Sequence, residues 1–326
     1  MRRRSALLLP LLATPAIAQT RPGAFPSRPI TVVVPYVPGG PSDILARSVA
    51  APMLAMTGQP FIVENRPGAN GSIAGQFVAR AEPDGHTLLI GASGPMSVNP
   101  NLLPNLPYDT LRDFAPLCLG IIAPNLLAVH QSFADTGPAS QGVANFIAWL
   151  KAHPGELSYG SPGIGSSEHL TTELFSLMTG TQLNHVPYPG AGAAITDLIS
   201  GTYQGTFISF GPALPHVQSG RLRALGVSSL ERHRLLPDVP AVSETVAGFE
   251  AFSWQSFVAP KATPEPVQAK LNELLVTALR MPAVDERLQA IGYTVAASSR
   301  EECKQRFVAD LARWADVIRR ANLSIR

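Results

Sequence analysis

An α/β fold with parallel sheets, divided into two lobes, is what this sequence predicts, and three observations lead there. Short β-branched or apolar runs alternate with amphipathic helical patterns along most of the 326 residues, as in parallel α/β sheets. About 300 residues remain after an N-terminal leader, more than one hydrophobic core usually serves. Four Gly/Ser-rich loops follow Val34, Ile90, Gly160 and Ile208, two in each half of the chain. Ligands in such sheets bind outside the carboxyl ends of the strands. Two halves that face each other would bring the four loops onto one cleft.

The leader comes first. Met1-Arg2-Arg3-Arg4 is positively charged, Ala6 to Ala13 is apolar and too short to span a bilayer, and Ala16-Ile17-Ala18 is a small-x-small cleavage site. Residues 1–18 therefore read as a signal peptide cleaved near Ala18, which places the mature chain in a bacterial periplasm. No Cys follows the cleavage site, which argues against a lipid anchor; the adjacent arginines leave both Sec and twin-Arg export open. A net charge of +2 gives no footprint for nucleic acid. No second long apolar stretch follows, so direct membrane insertion is not expected. Cys118 and Cys303 are equally compatible with a disulfide and with two buried thiols.

The elements follow in order. Ile30–Val34 is a strand that breaks into the loop Pro35–Pro41. Helix 42–56 then buries Leu45, Val49 and Met53. Phe61–Val63 is a short strand, and residues 65–71 form a loop into helix 72–81. Pro83-Asp84-Gly85 is a turn before strand Thr87–Ile90. Residues 104–113 have no period and read as a connection. The apolar run 117–129 is long enough to pass from one lobe to the other. Helix 143–152, strand 157–160 and helix 168–178 open the second half. Strand 184–186, helix 191–200 and strand 206–208 come next. Strand 222–227 is a candidate for the return crossing. Helices 264–279 and 300–321 are amphipathic and end the chain.

The chemistry points to binding. The loop after Val34, Tyr36 to Asp43 with Gly39, Gly40 and Ser42, runs into a helix N-terminus, where backbone N–H groups lack intrahelical partners and favour an anion. Tyr36 either covers a ligand or is a partly buried loop aromatic. Asp43 either contacts a ligand amine or complements the helix dipole. Ser161 to Ser167 repeats the arrangement, with Gly165 in the turn and the hydroxyls of Ser166 and Ser167 at the next helix start; the plain alternative is an ordinary cap. Catalytic signals are weak. The seven His are scattered, with His169 read as a helix-face residue. No metal-ligand spacing, nucleophile elbow, Walker A loop or full dinucleotide fingerprint occurs. No catalytic residue, metal or cofactor is expected.

The chain also resembles the substrate-binding proteins of tripartite tricarboxylate transporters, the Bug or TctC-like receptors. The resemblance spans the mature chain. It is carried by Arg28-Pro-Ile with Val34-Pro-Tyr36 and Gly39 to Arg47, Val63-Glu-Asn-Arg-Pro-Gly68, and Pro83-Asp-Gly-His-Thr-Leu-Leu89. Further on come Leu106-Pro-Tyr-Asp109, Asp113-Phe-Ala-Pro116, His185-Val-Pro-Tyr188, Leu214-Pro-His216, Gly220 to Leu225, and Leu236 to Pro240. It implies a type II-like periplasmic-binding fold with two Rossmann-like lobes around a central cleft: 19–125 plus 229–326, and 126–228. It implies a monomer that captures a small organic carboxylate through N–H groups, hydroxyls and waters, then delivers it to membrane transporter subunits. Ser93 matches a polar position of the first lobe, and Ser166 and Ser167 match hydroxyl positions of the second. Many members carry Asp-Asn where this chain has Ile208-Ser209. That departure argues against an amine-bearing ligand, leaves Ser209 as a hydroxyl contact and makes Ile208 an apolar one. A ligand-sensing subunit for a sensor kinase and a secreted Ser-dependent hydrolase are the alternative functions.

Overall fold

The computed structural model describes residues 25–136 and 142–323; the signal peptide expected over residues 1–18 lies outside them. The first strand is β1 (Ile30–Val34), whose β-branched residues are buried on both faces except the half-buried Thr31. Helix α1 (Pro41–Thr57) follows, with Gly40 in an extended conformation ahead of it, Pro41 in its first turn and Gly58 closing it at φ 68°. Strand β2 (Phe61–Asn65) pairs parallel with β1. Helix α2 (Ser72–Ala79) leads to β3 (Thr87–Ala92), also parallel to β1. A wide helical turn (Gly94–Val98) and the short α3 (Asn99–Leu102) and α4 (Thr110–Asp113) then bring the chain to β4. The Asp109 side chain caps α4 by accepting from the amides of Leu111 and Arg112.

Strand β4 (Phe114–His130) organises the molecule. Phe114 to Pro124 pair antiparallel with the later β9 (Phe252–Pro260). From Asn125 onward the partners become β7 (Gly205–Ser209) and β8 (Leu222–Val227). One strand thus belongs to both sheets, and the change of partners falls between Pro124 and Asn125.

Beyond β4 lie α5 (Gln131–Thr136) and α6 (Val143–Ala152). Next come β5 (Ser158–Ser161), α7 (Ser167–Thr179), β6 (Asn184–Pro187) and α8 (Ala191–Ser200). Strands β5 and β6 form a separate parallel pair. Helix α9 (Phe210–Gln218) connects β7 to β8. After β9, helices α10 (Glu265–Leu279), α11 (Pro282–Ala290) and α12 (Arg300–Arg320), with the two-residue β10 (Thr294–Val295), complete the chain. The larger sheet runs β10-β4-β9-β3-β1-β2.

Several expectations change. The sheets are mixed, because β4 and β9 run antiparallel to their neighbours. Strand β8 is not the return crossing; it pairs with the distal half of β4. The return passes Ser228, which binds the backbone of Asn125 and Ala251, and enters β9. Val242, Phe249 and Ala251 pack in one cluster with Leu127, Phe146 and Phe207. Cys118 and Cys303 are free buried thiols.

Candidate functional site

The loop after β1 is held by a buried carboxylate. Asp43 Oδ2 accepts from the amide of Gly39 at 3.0 Å and from Arg47 Nε at 2.9 Å. Its Oδ1 accepts from Arg47 Nε at 3.0 Å and Asn65 Nδ2 at 3.1 Å. Burial alone would raise the Asp43 pKa, but these bonds outweigh it and hold the carboxyl below its usual range. Asp43 thereby fixes Gly39, which at φ 91° needs the glycine backbone. Arg47 serves the same carboxylate. Asp43→Ala is expected to cost about 1–3 kcal/mol of stability, since it leaves the Gly39 amide unpaired; urea unfolding of the two proteins measures it.

The first intrahelical bond of α1 is Ile44 N to Gly40 O. The amides of Gly40, Ser42 and Asp43 therefore precede it, while Pro41 contributes none. The Ser42 hydroxyl is not in this row, because it is buried and donates to Gln255 Oε1 of β9 at 2.5 Å. Tyr36 reaches across the first lobe: its hydroxyl lies 3.4 Å from Asn70 Oδ1, and a Cβ on Gly94 would come within 2.7 Å of it. Ser93 is buried at the end of β3, immediately before the Gly94 turn. Asn70, at φ 48°, is locked to Asn99 by Asn70 Nδ2 to Asn99 Oδ1 at 2.8 Å and Asn99 Nδ2 to Asn70 O at 3.1 Å.

The facing loop joins β5 to α7. Gly165 stands so close to the first lobe that a Cβ there would meet Leu102 Cδ2 at 2.9 Å and Asn70 Nδ2 at 3.5 Å. The Tyr36 loop, Asn70, the Gly94 turn and the Gly165 loop thus meet. Ser166 caps α7, its Oγ accepting from His169 N at 3.2 Å. Ser167 Oγ accepts from Asn125 Nδ2 at 3.1 Å, and the same amide group reaches Thr171 Oγ1 at 2.8 Å. Ser209 Oγ donates to Glu168 Oε1 at 2.6 Å. Ile208 is buried in a core cluster with Leu126, Ile195 and Tyr203. The Ser209 hydroxyl thus engages a carboxylate, that of Glu168, which follows Ser167 in α7.

His169 is buried rather than on a helix surface. Its Nδ1 accepts from the Gly165 amide at 3.1 Å, and its ring stacks on His185 with centroids 4.1 Å apart. His185 Nε2 lies 2.6 Å from Ser161 Oγ, and the Tyr159 ring lies beside both imidazoles, with centroids 4.9 Å from His185 and 6.3 Å from His169. The Tyr159 hydroxyl donates to Glu173 Oε1 at 2.5 Å. Burial, and the neighbouring His185, lower the His169 pKa to about 3; burial lowers that of His185 to about 4. Two neutral imidazoles therefore hold the loop from behind.

A folded-state pKa below the unfolded one means that the unfolded chain takes up a proton first as pH falls. Stability supplied by neutral His185 is present above pH 6.5 and declines toward pH 4. The stability advantage of wild type over His185→Asn should shrink by about 1.4 kcal/mol per pH unit in that window. Burial raises Glu168 and Glu173, and their opposite contribution is common to both proteins. Urea midpoints at pH 7, 5.5 and 4.5 provide the check.

Asn70, Asn99, Asn125, Thr171 and Gln255 were not singled out from sequence, and Glu168 was weighed only beside His169 and Glu173 as a metal set that the spacing does not make. Only Asn70-Gly71 carried a local signal, as a dipeptide suited to positive φ. The others gain their roles from distant partners.

A family model described as the tripartite tricarboxylate transporter family receptor matches residues 45–323. The chain belongs to this receptor family. BugT of Bordetella pertussis is 34% identical over 317 residues, which cover 97% of this chain and 94% of BugT. Among solved structures, R. palustris Rpa4515 with adipate superposes at TM-score 0.84 and 33% identity, covering 92% of this receptor and 99% of that chain. MatC from Rhodopseudomonas palustris with bound malate gives TM-score 0.79 at 33% identity, covering 90% and 100%. The architecture is that of the two-lobed periplasmic binding proteins. Among the described residues of this receptor, no helix is long and apolar enough to cross a membrane.

Proposed function

We propose that this receptor captures a small organic carboxylate between its two loop sets and presents the closed, loaded form to membrane transporter subunits. The observation that carries the reading is the meeting of the Tyr36 loop, Asn70 and the Gly94 turn with Gly165 from the opposite lobe. Each side brings a helix N-terminus, so amides preceding α1 and α7 face a common space suited to an anion. A ligand touching both lobes binds the closed form better, and that difference drives closure. The adipate and malate held by the two R. palustris relatives support an acid as the ligand class.

The finer assignments belong to the same proposal. Gly39, Gly40 and Ser42 contribute backbone, with Asp43 shaping the loop. Tyr36 and Ser93 line the first lobe, while Gly165, Ser166, Ser167 and Ser209 line the second. The chain acts as an exported monomer, freed of residues 1–18, with no bond chemistry of its own.

Ser167→Ala tests the second loop. It is expected to weaken binding of an acid ligand by about 1–3 kcal/mol in calorimetry. A change below a few tenths would confine Ser167 to its bond with Asn125. Co-purification of the tagged receptor with transporter membrane subunits supports delivery. Recovery of a sensor kinase in their place would assign the cleft to sensing. Specific labelling of one Ser by a fluorophosphonate, with loss of function, would instead make the protein a hydrolase.

A further inference from the structure

We propose that Glu168, with Asn125, reads the far end of the ligand, admitting a hydrogen-bond donor and rejecting a second ionised carboxylate. The inference rests on the carboxylate-receptor reading and specifies its ligand. Glu168 follows Ser167 in the first turn of α7 and is 6% exposed. Its carboxylate is bound by the Ser209 hydroxyl and by the backbone amides of Glu168 and Ser209, all neutral donors, and by no cation among the described residues. Asn125 stands opposite Ser209 in the β4–β7 register, at the point where β4 changes sheets. Its Nδ2 is used by Ser167 and Thr171. Its Oδ1 is buried and accepts no hydrogen bond from the described residues, although the residue is 0% exposed.

A buried acceptor without a donor is costly, and a buried carboxylate without a cation more so. Two acceptors therefore converge from β4 and α7 where a donor is wanted. Glu168 also lies within electrostatic reach of Tyr36 in the first lobe, and of Tyr203 and Tyr293, each of whose phenols it helps to raise. Its helix also begins directly behind the Gly165 loop, which meets Leu102 and Asn70 of the first lobe. Burial raises its own pKa, as expected of a carboxyl without a compensating charge. A ligand ammonium would supply that charge, and a hydroxyl or carboxamide N–H would supply a donor. A second ligand carboxylate would place two like charges in a desolvated space.

The test is a calorimetric titration at pH 7.5 with wild type and Glu168→Gln. The ligands are straight-chain acids of four to six carbons that differ only at the far end: amino, hydroxyl, carboxamide or carboxylate. Wild type is expected to bind at least one donor-ended acid tenfold or more tighter than the dicarboxylate of equal length. An ammonium, a hydroxyl or a carboxamide in first place each supports the proposal, because each donates to the Glu168 carboxylate. Glu168→Gln should erase the preference, with the dicarboxylate gaining about tenfold. The wild-type ranking decides even if that variant fails to fold. A wild type that binds the dicarboxylate as tightly as every donor-ended acid overturns the selectivity while leaving the receptor reading intact. Failure of every acid, whatever its far end, overturns both.

Discussion

Gly40→Val is expected to weaken ligand binding at least a hundredfold, equivalent to about 2.7 kcal/mol, while the fold survives. Gly40 has an extended backbone at φ −83° and ψ 175°, open to any residue. A Cβ added there meets nothing within 4 Å. The folded chain has room for the side chain, so the cost to stability is limited to a poorer helix cap, about 1 kcal/mol. The ligand does not have that room. The amides of Gly40, Ser42 and Asp43 precede the first intrahelical bond, and a branched side chain at Gly40 stands between them and an anion. Calorimetry on the folded variant reads the loss directly. Unchanged affinity would remove this loop from the binding site.

Trp254→Ala should produce the largest loss of stability, about 3–5 kcal/mol by urea unfolding. Trp254 is fully buried in β9 and stacks on Phe307 of α12 with ring centroids 4.8 Å apart. Its indole N–H donates to the buried Asp310 carboxylate. The substitution would leave a cavity and also remove that donor. Because β9 pairs with the proximal half of β4, the loss falls on the strand that joins the two sheets. A loss under 1 kcal/mol would mean that α12 does not depend on β9 for its seat.

The elements whose signal is local were legible in the chain. β1 is a β-branched run, α1 and α12 have periodic apolar faces, and Ser299 with Glu302 forms a capping box at the start of α12. The loops at the carboxyl ends of β1 and β5 were equally legible, because Gly, Pro and Ser punctuate them. β9 was not. All nine of its residues are buried, so Ser253, Gln255 and Ser256 face protein rather than solvent and no polar-out alternation marks it. Helix α9 was hidden by Pro212 and Pro215, which read as breakers although a short helix accommodates them. Helix α11 has one of the weaker apolar faces and begins at a proline.

The site divides along the same line. Backbone donors at helix starts can be read from a Gly-rich loop before an amphipathic run. Side-chain partners cannot, because Ser42 meets Gln255 across 213 positions and Asn125 meets Ser167 across 42. The surroundings of Ile208 were hidden for a related reason. Phe207 and Ile208 point to opposite faces of β7, and both faces are core, so no polar-out alternation marks the strand. Asp43 was legible as a charge at a helix start, but its work on Gly39 needed Asn65 and the loop geometry.

Carboxylate capture is the central claim, and thermal unfolding in the presence of matched acid and methyl ester pairs tests it most directly. A bound acid at 100 times its dissociation constant should stabilise the receptor by about 2.7 kcal/mol. Its methyl ester at the same concentration should leave the transition where it is, because the helix N-termini then face no anion. An ester that stabilises as strongly as its acid, or a panel of small acids none of which moves the transition, would contradict the account.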